Sequence, residues 1–427
     1  MKRLLTIIGY TLIIVVIAAI GWLATTDNSW VWPRRNFVEY EMLTRLWPYI
    51  GEPQIGDTGG ISGVVFDYLG RPINGGWVVF SRWDGTTYAA QTDAKGRYAI
   101  ADIPAGEYAP IVGAAGFAPK IMGGRGVVIE AGQNRGSDVV LAAAPQRRIA
   151  TGSDFALDER ASIACETPIN ASANRQNVTF TREGEPNQQT LLYTPIDATP
   201  EDLYPLLITV YPGPADTWEC ASVPLAAAGY NVIAVGPAYN LELESDVDDL
   251  ERILDFVAAG YFPNVSDDAV SLLGGSYSGL HVQILLRRGR QDIQSAVLLG
   301  APTDIYAMRR YLEEGIFIPP FGLDQVLVAL GLPDRQPLRY WEGSSIYHVQ
   351  PDFPPHLIIH SRDDAVVPIS QSELLTEQLV QAQVTHQTHY FDEASHYLLS
   401  AGGESREIYD LAVNFLAEQY DRPIESE

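Results

Sequence analysis

The segment Ser271-Leu272-Leu273-Gly274-Gly275-Ser276-Tyr277-Ser278-Gly279 sets Ser276 among small residues directly behind an apolar run. A serine hydroxyl is a poor nucleophile until a neighbouring base takes its proton, and a sharp strand-to-helix turn presents it best. Such a turn needs small residues two before and two after the nucleophile. Gly274 meets that need. Ser278 stands where glycine is usual, but it is small and Gly279 follows, so a slightly tighter elbow is expected.

The base must come from seven histidines. His396, in Asp392-Glu393-Ala394-Ser395-His396, lies where a loop should follow the last strand and behind the candidate acids. His386 and His389 fall within or before that strand and read as structural. His360 ends an earlier strand and is expected to buttress its loop, and His281 sits behind the elbow with a packing role. For the acid, Asp363 and Asp364 both qualify, in His360-Ser361-Arg362-Asp363-Asp364-Ala365-Val366-Val367-Pro368. One buried carboxylate is needed to hold the imidazole's tautomer. The residues alone do not choose between the two. An Asp-Asp pair in a loop is commonly a solvated turn or a helix cap; here the chain order Ser, Asp, His favours chemistry.

These groups need a scaffold. From Gln146 onward, short apolar strands alternate with helical patterns, which predicts a mostly parallel sheet with helices on both faces. This is the α/β-hydrolase arrangement, expected over residues 146–427. An insertion at about 303–349, rich in Tyr306, Tyr311, Phe317, Phe321, Trp341 and Tyr347, reads as a cap over the site. Arg309 or Arg310 in it would meet a substrate carboxylate, or else belong to a solvated helix.

Residues 57–145 read differently. Short β-branched and aromatic runs separated by Asp84-Gly85, Ala94-Lys95-Gly96 and Pro104-Ala105-Gly106 predict a small all-β sandwich. Ahead of it, Leu4–Thr26 is uncharged and roughly 20 residues long, the length of a membrane-spanning helix. Residues 1–27 are therefore expected as a transmembrane anchor and 28–56 as a juxtamembrane stalk with an amphipathic helix over Asn36–Trp47. Trp22, Trp30 and Trp32 fit an interfacial belt. Basic residues tie on the two sides, Lys2 and Arg3 against Arg34 and Arg35. A large folded domain behind a short span is expected outside the cytoplasm.

Acidic residues number 53 against 28 basic, a net charge of -25, which argues against nucleic-acid partners. Cys165 and Cys220 have no metal-site spacing, so no metal is expected, nor any organic cofactor. They could form one disulfide or stay as two small apolar side chains.

Two resemblances sharpen this reading. Ile61-Ser62-Gly63-Val64-Val65, Thr92-Asp93-Ala94-Lys95-Gly96-Arg97-Tyr98 and Ile103-Pro104-Ala105-Gly106-Glu107-Tyr108 resemble the carboxypeptidase regulatory-like domain. That implies a transthyretin-like sandwich acting as a spacer or contacting carbohydrate or protein. Gly274-Gly275-Ser276-Tyr277 and Asp363-Asp364-Ala365-Val366-Val367-Pro368 resemble the prolyl oligopeptidase and dipeptidyl-peptidase family, from about Leu206 to the C-terminus. In that family the first Asp of the pair is the triad acid, which implies Asp363. Ile208-Thr209-Val210-Tyr211-Pro212-Gly213-Pro214 looks like its oxyanion strand. The resemblance therefore implies that the Tyr211 hydroxyl and the Tyr277 backbone N–H bind the oxyanion. Where the family carries a large β-propeller, this chain has the small sandwich. The implied activity is serine hydrolysis of a peptide or ester, peptidase-like by resemblance. The rival is a catalytically silent, membrane-tethered binding protein on the same scaffold.

Overall fold

The protein is described here by a computed structural model covering residues 15–19, 21–26, 28, 30–42, 57–124, 126–145, 154–182, 185–237, 241–289, 292–317, 319–320, 324–396, 398 and 404–420. Residues 57–145 form a sandwich of two four-stranded sheets, with a further two-stranded pair, Gly106–Tyr108 and Val127–Ile129. In one sheet Thr58–Asp67 pairs antiparallel with Arg97–Pro104 and parallel with Val139–Leu141. In the other, Trp77–Ser81 lies between Thr87–Gln91 and Ile111–Gly113. Side chains on a strand alternate between faces. Ile61 and Val65 of one sheet therefore meet Val78, Phe80 and Val112 of the other in one buried core.

The larger domain is built on ten strands: β1 (Ala156–Leu157), β2 (Ala161–Cys165), β3 (Ala171–Thr179), β4 (Gln189–Pro195), β5 (Tyr204–Val210), β6 (Asn231–Gly236), β7 (Val265–Gly275), β8 (Ile293–Leu299), β9 (His356–Ser361) and β10 (His386–Phe391). They lie in the order β1-β3-β4-β6-β5-β7-β8-β9-β10, with β2 also on β3. Pairing is antiparallel through β3, β4 and β6, and parallel from β6 to β10. All six residues of β6 and all six of β9 are buried, as parallel strands covered on both faces require. Helices α2 (Glu219–Ala227), α3 (Leu243–Ala258), α4 (Gly279–Arg287), α8 (Ser370–Ala382) and α9 (Ser405–Gln419) connect or cover these strands. Two apolar clusters hold the helices to the sheet. One joins α3 and α4 to β5 and β7, and the other joins α2 and α9 to β6 and β9.

The expected cap is helical: α5 (Ile305–Glu313), α6 (Asp324–Leu330) and α7 (Pro337–Glu342). The sandwich is seated directly on it. Trp77 meets Tyr347 edge-on at 5.2 Å between ring centroids. A Cβ at Gly113 would lie 2.3 Å from the Trp341 ring, so only glycine permits this approach. The Cys165–Cys220 pair forms a disulfide with Cα atoms 5.5 Å apart, tying β2 to α2.

The expected anchor over 1–27 falls largely outside the described residues; within them, 15–19 and 21–25 are helical. Among the described residues no helix is long and apolar enough to cross a membrane. The stalk differs from expectation. Its helix, α1 (Trp32–Glu41), begins earlier in the chain than the expected helix, with Pro33 in its first turn, and 43–56 lie outside the described residues. Trp32 is not interfacial but fully buried against the larger domain. Its indole N–H donates to Glu242 at 3.0 Å and the Arg339 guanidinium covers its ring at 3.6 Å. A tryptophan suits a half-apolar protein pocket for the reasons that suit it to a lipid interface.

Candidate active site

β7 runs into a tight turn at Ser276–Ser278 before α4 starts at Gly279. Ser276 takes φ 51°, a left-handed conformation that costs a non-glycine residue of order 1–3 kcal/mol and that packing must hold. The small-residue requirement is visible in the neighbours. A Cβ at residue 274 would come within 2.8 Å of Val282 and 2.9 Å of the Gly279 Cα. Ser278 is accommodated, fully buried.

The carboxyl ends of the parallel strands gather the other groups at this point, as open α/β sheets do. His396 Nε2 lies 2.7 Å from Ser276 Oγ, and His396 Nδ1 lies 2.7 Å from Asp364 Oδ2. An ionised carboxylate only accepts, so Nδ1 carries the proton and Nε2 faces the serine hydroxyl as acceptor. Burial works to raise the Asp364 carboxyl, but hydrogen bonds from His360 and His396 outweigh it and hold it well below the usual carboxylate range. Its other oxygen, Oδ1, accepts the backbone N–H groups of Val366 and Val367 at 2.7 and 2.8 Å. Every acceptor site of this buried acid is thus committed.

The resemblance implied Asp363 as the acid, but the carboxylate that meets His396 is that of Asp364. After β9 ends at Ser361, Asp363 turns outward and is exposed, while the Asp364 N–H bonds back to the Ser361 carbonyl and its side chain turns in. Asp363 Oδ1 instead accepts the Ser395 N–H at 2.9 Å and the Ser361 hydroxyl. It fastens the loop that carries the histidine.

Tyr211, at the end of β5, stacks its ring on Trp218 at 5.6 Å. A Cβ at Gly275 would come within 2.8 Å of the same ring, which places Tyr211 against the elbow. Its hydroxyl is buried with no hydrogen-bond partner among the described residues. Burial pushes the phenol well above its ordinary range, so it stays a neutral O–H donor. Tyr277 follows Ser276 in the turn, where its backbone N–H belongs to the first orphan donors of the helical segment.

Sequence reasoning gave His360 only a buttressing place and missed Gly300. Buried His360 faces Val367 O at 2.9 Å and Asp364 Oδ2 at 3.2 Å through Nε2, and Ser372 Oγ through Nδ1 at 2.7 Å. Gly300, just past β8, leaves room for the acid and base; a Cβ there would lie 3.2 Å from Asp364 Oδ2. The strand-ending His four residues before the acid was the available signal for the first, and there was none for the second. His281 packs as expected, 3.2 Å from Asp246 and edge-on to Tyr277. Arg309 does not reach substrate: it is fully buried, paired with Glu313 at 2.6 Å and set over the Tyr40 ring. Among the described residues no cluster of His, Cys, Asp or Glu could hold a metal ion.

Beside Ser276 opens a cavity of about 120 Å³, walled by Leu280 of α4, Met308 of α5, Leu327 of α6 and Val366 of the acid loop.

Residues 239–422 match the prolyl oligopeptidase family and residues 60–142 the carboxypeptidase regulatory-like domain. The chain carries a prolyl oligopeptidase family domain. It is a serine hydrolase, of the peptidase or the esterase kind. No curated protein matches the chain. Solved structures similar to it include esterase B from Lactobacillus rhamnosis, 16% identical, covering 58% of this chain and 87% of that one at a TM-score of 0.48. An esterase from the planctomycete Thermogutta terrifontis is 19% identical over 56% of this chain and 91% of its own, at 0.43. A truncated carbohydrate esterase from gut microbiota is 18% identical over 55% and 91%, at 0.43. A likeness this distant carries no argument about substrate. The prolyl oligopeptidase family domain includes Ser276, Asp364 and His396, while Tyr211 lies ahead of the matched residues.

Proposed function

We propose that the protein is a membrane-anchored serine hydrolase that cleaves ester or peptide bonds through Ser276, His396 and Asp364. The observation that carries this is the unbroken hydrogen-bonded chain from Ser276 Oγ through His396 to Asp364, with 2.7 Å at both links. Ser276 Oγ attacks the carbonyl carbon as its proton passes to His396 Nε2. The oxyanion takes hydrogen bonds from the Tyr277 N–H and the Tyr211 hydroxyl. Collapse breaks the bond to the alcohol or amine, which leaves with the proton from His396. Water then repeats the steps on the acyl-enzyme and frees the acid and Ser276. Resemblance to the prolyl oligopeptidase family favours peptides; the same steps cleave esters.

Turnover tests the reading. Tyr211→Phe, which removes a buried donor and little volume, lowers kcat by about 10²–10³-fold with KM nearly unchanged. A variant at the wild-type rate takes Tyr211 out of the oxyanion site. Folded wild-type protein that turns over neither acyl esters nor peptide anilides supports the silent binding protein instead.

The uncharged run Leu4–Thr26 supports the anchor, and the Cys165–Cys220 disulfide supports an oxidising compartment for the folded domains. In this reading the sandwich holds the cap, and any carbohydrate or protein contact uses its outward surface. Alkaline carbonate washing should leave the full chain in the membrane pellet. Release into the supernatant would rule out the span.

A further inference from the structure

The cavity beside Ser276 is apolar on almost every side. Apart from Ser276 and Tyr277, its polar lining residues are Arg339 and Glu342, neighbours on α7. An acyl group from a peptide brings an α-nitrogen next to the reacting carbonyl. Lining side chains such as Leu280, Pro302, Ile305 and Val366 offer such a nitrogen no hydrogen bond, and a polar group left unpaired among them costs free energy. A hydrocarbon acyl chain brings no such group. Size limits the chain: an apolar cavity of about 150 Å³ takes a six-carbon benzene, so about 120 Å³ takes about four to six carbons.

The walls of this cavity are held from outside by α1. Trp32 bonds Glu242, between the lining residues Leu241 and Leu243, and its ring stacks under the guanidinium of lining residue Arg339. The Asn36 side-chain amide donates to the carbonyls of Ala329 and Leu330 at 3.0 and 3.1 Å, ending the helix whose Val326, Leu327 and Leu330 form another wall. One helix outside the hydrolase sheet thus clamps three separate wall segments.

We propose that the substrate is an ester of a short apolar acyl group, about four to six carbons long, whose chain fills this cavity. Trp32 is a positioning residue that sets the cavity's depth. The proposal rests on Ser276 chemistry and can fail separately from it.

The test is a p-nitrophenyl ester series from acetate to laurate on the full-length protein, beside glycyl-proline p-nitroanilide, with fluorophosphonate labelling measured in parallel. Each methylene buried is worth about fourfold in kcat/KM, so acetate to butyrate gains about tenfold or more. The optimum falls at butyrate to hexanoate and laurate drops below it. Trp32→Ala moves the optimum to longer chains through KM, and Trp32→Phe restores it in part. Val326→Phe fills the cavity from a half-buried position and lowers the hexanoate-to-acetate ratio about tenfold, which keeps the proposal testable if Trp32→Ala does not fold. A profile that is flat or climbs to laurate, or faster cleavage of the anilide than of every ester, overturns the substrate class while labelling stays intact. Loss of labelling together with all turnover strikes instead at the Ser276 reading. An unchanged length profile in folded Trp32→Ala removes α1 from substrate selection.

Discussion

Ser276→Ala lowers kcat on any acyl ester by about 10⁶-fold, leaving only what the oxyanion donors and binding achieve. The size of the loss follows from the geometry. Ser276 is held at φ 51° with its hydroxyl 2.7 Å from an imidazole whose other nitrogen contacts the buried Asp364. The other serine of the turn cannot substitute, because Ser278 is fully buried at the start of α4. The substitution removes one oxygen atom and relieves no core contact, so the fold should persist with an unchanged thermal transition. His396→Ala should cost a comparable factor, because serine and histidine act as one unit and their losses do not add.

The second large effect separates two adjacent aspartates. Asp364→Asn lowers kcat by about 10⁴-fold, whereas Asp363→Asn costs about tenfold at most. Asp364 Oδ1 is fixed by two backbone N–H donors, Val366 and Val367. An asparagine must place its carbonyl oxygen there and turn its NH₂ toward His396 Nδ1. The imidazole then accepts at Nδ1 and carries its proton on Nε2, facing Ser276, where it can take none. Asp363 makes its hydrogen bonds to Ser395 and Ser361 from an exposed position, and an asparagine oxygen can keep the bond to the Ser395 N–H. Equal losses from the two variants would contradict this assignment of the acid.

The elbow was legible in the sequence because its constraints are local: small residues between an apolar strand and a helical pattern. His396 was legible because the order of strands along the chain places the final loop beside the nucleophile. Which of Asp363 and Asp364 turns inward was not, since adjacent side chains differ only in how the turn after β9 is closed. That closure depends on backbone N–H groups of Val366 and Val367, which no residue type advertises. Cys165 and Cys220 lie 55 residues apart, and only the docking of α2 against β2 brings them together. Trp32 misled for a related reason. An indole behind an apolar run has the same composition signal whether its N–H meets a lipid headgroup or Glu242.

Catalysis here depends on one proton path, and the most direct test is to map a fluorophosphonate adduct by peptide mass spectrometry on the folded protein. The predicted result is a single adduct on Ser276, formed rapidly in wild type and Asp363→Asn and slowed by orders of magnitude in Asp364→Asn and His396→Ala. An adduct on another residue, or labelling of Ser276 at the same rate in His396→Ala, would contradict it.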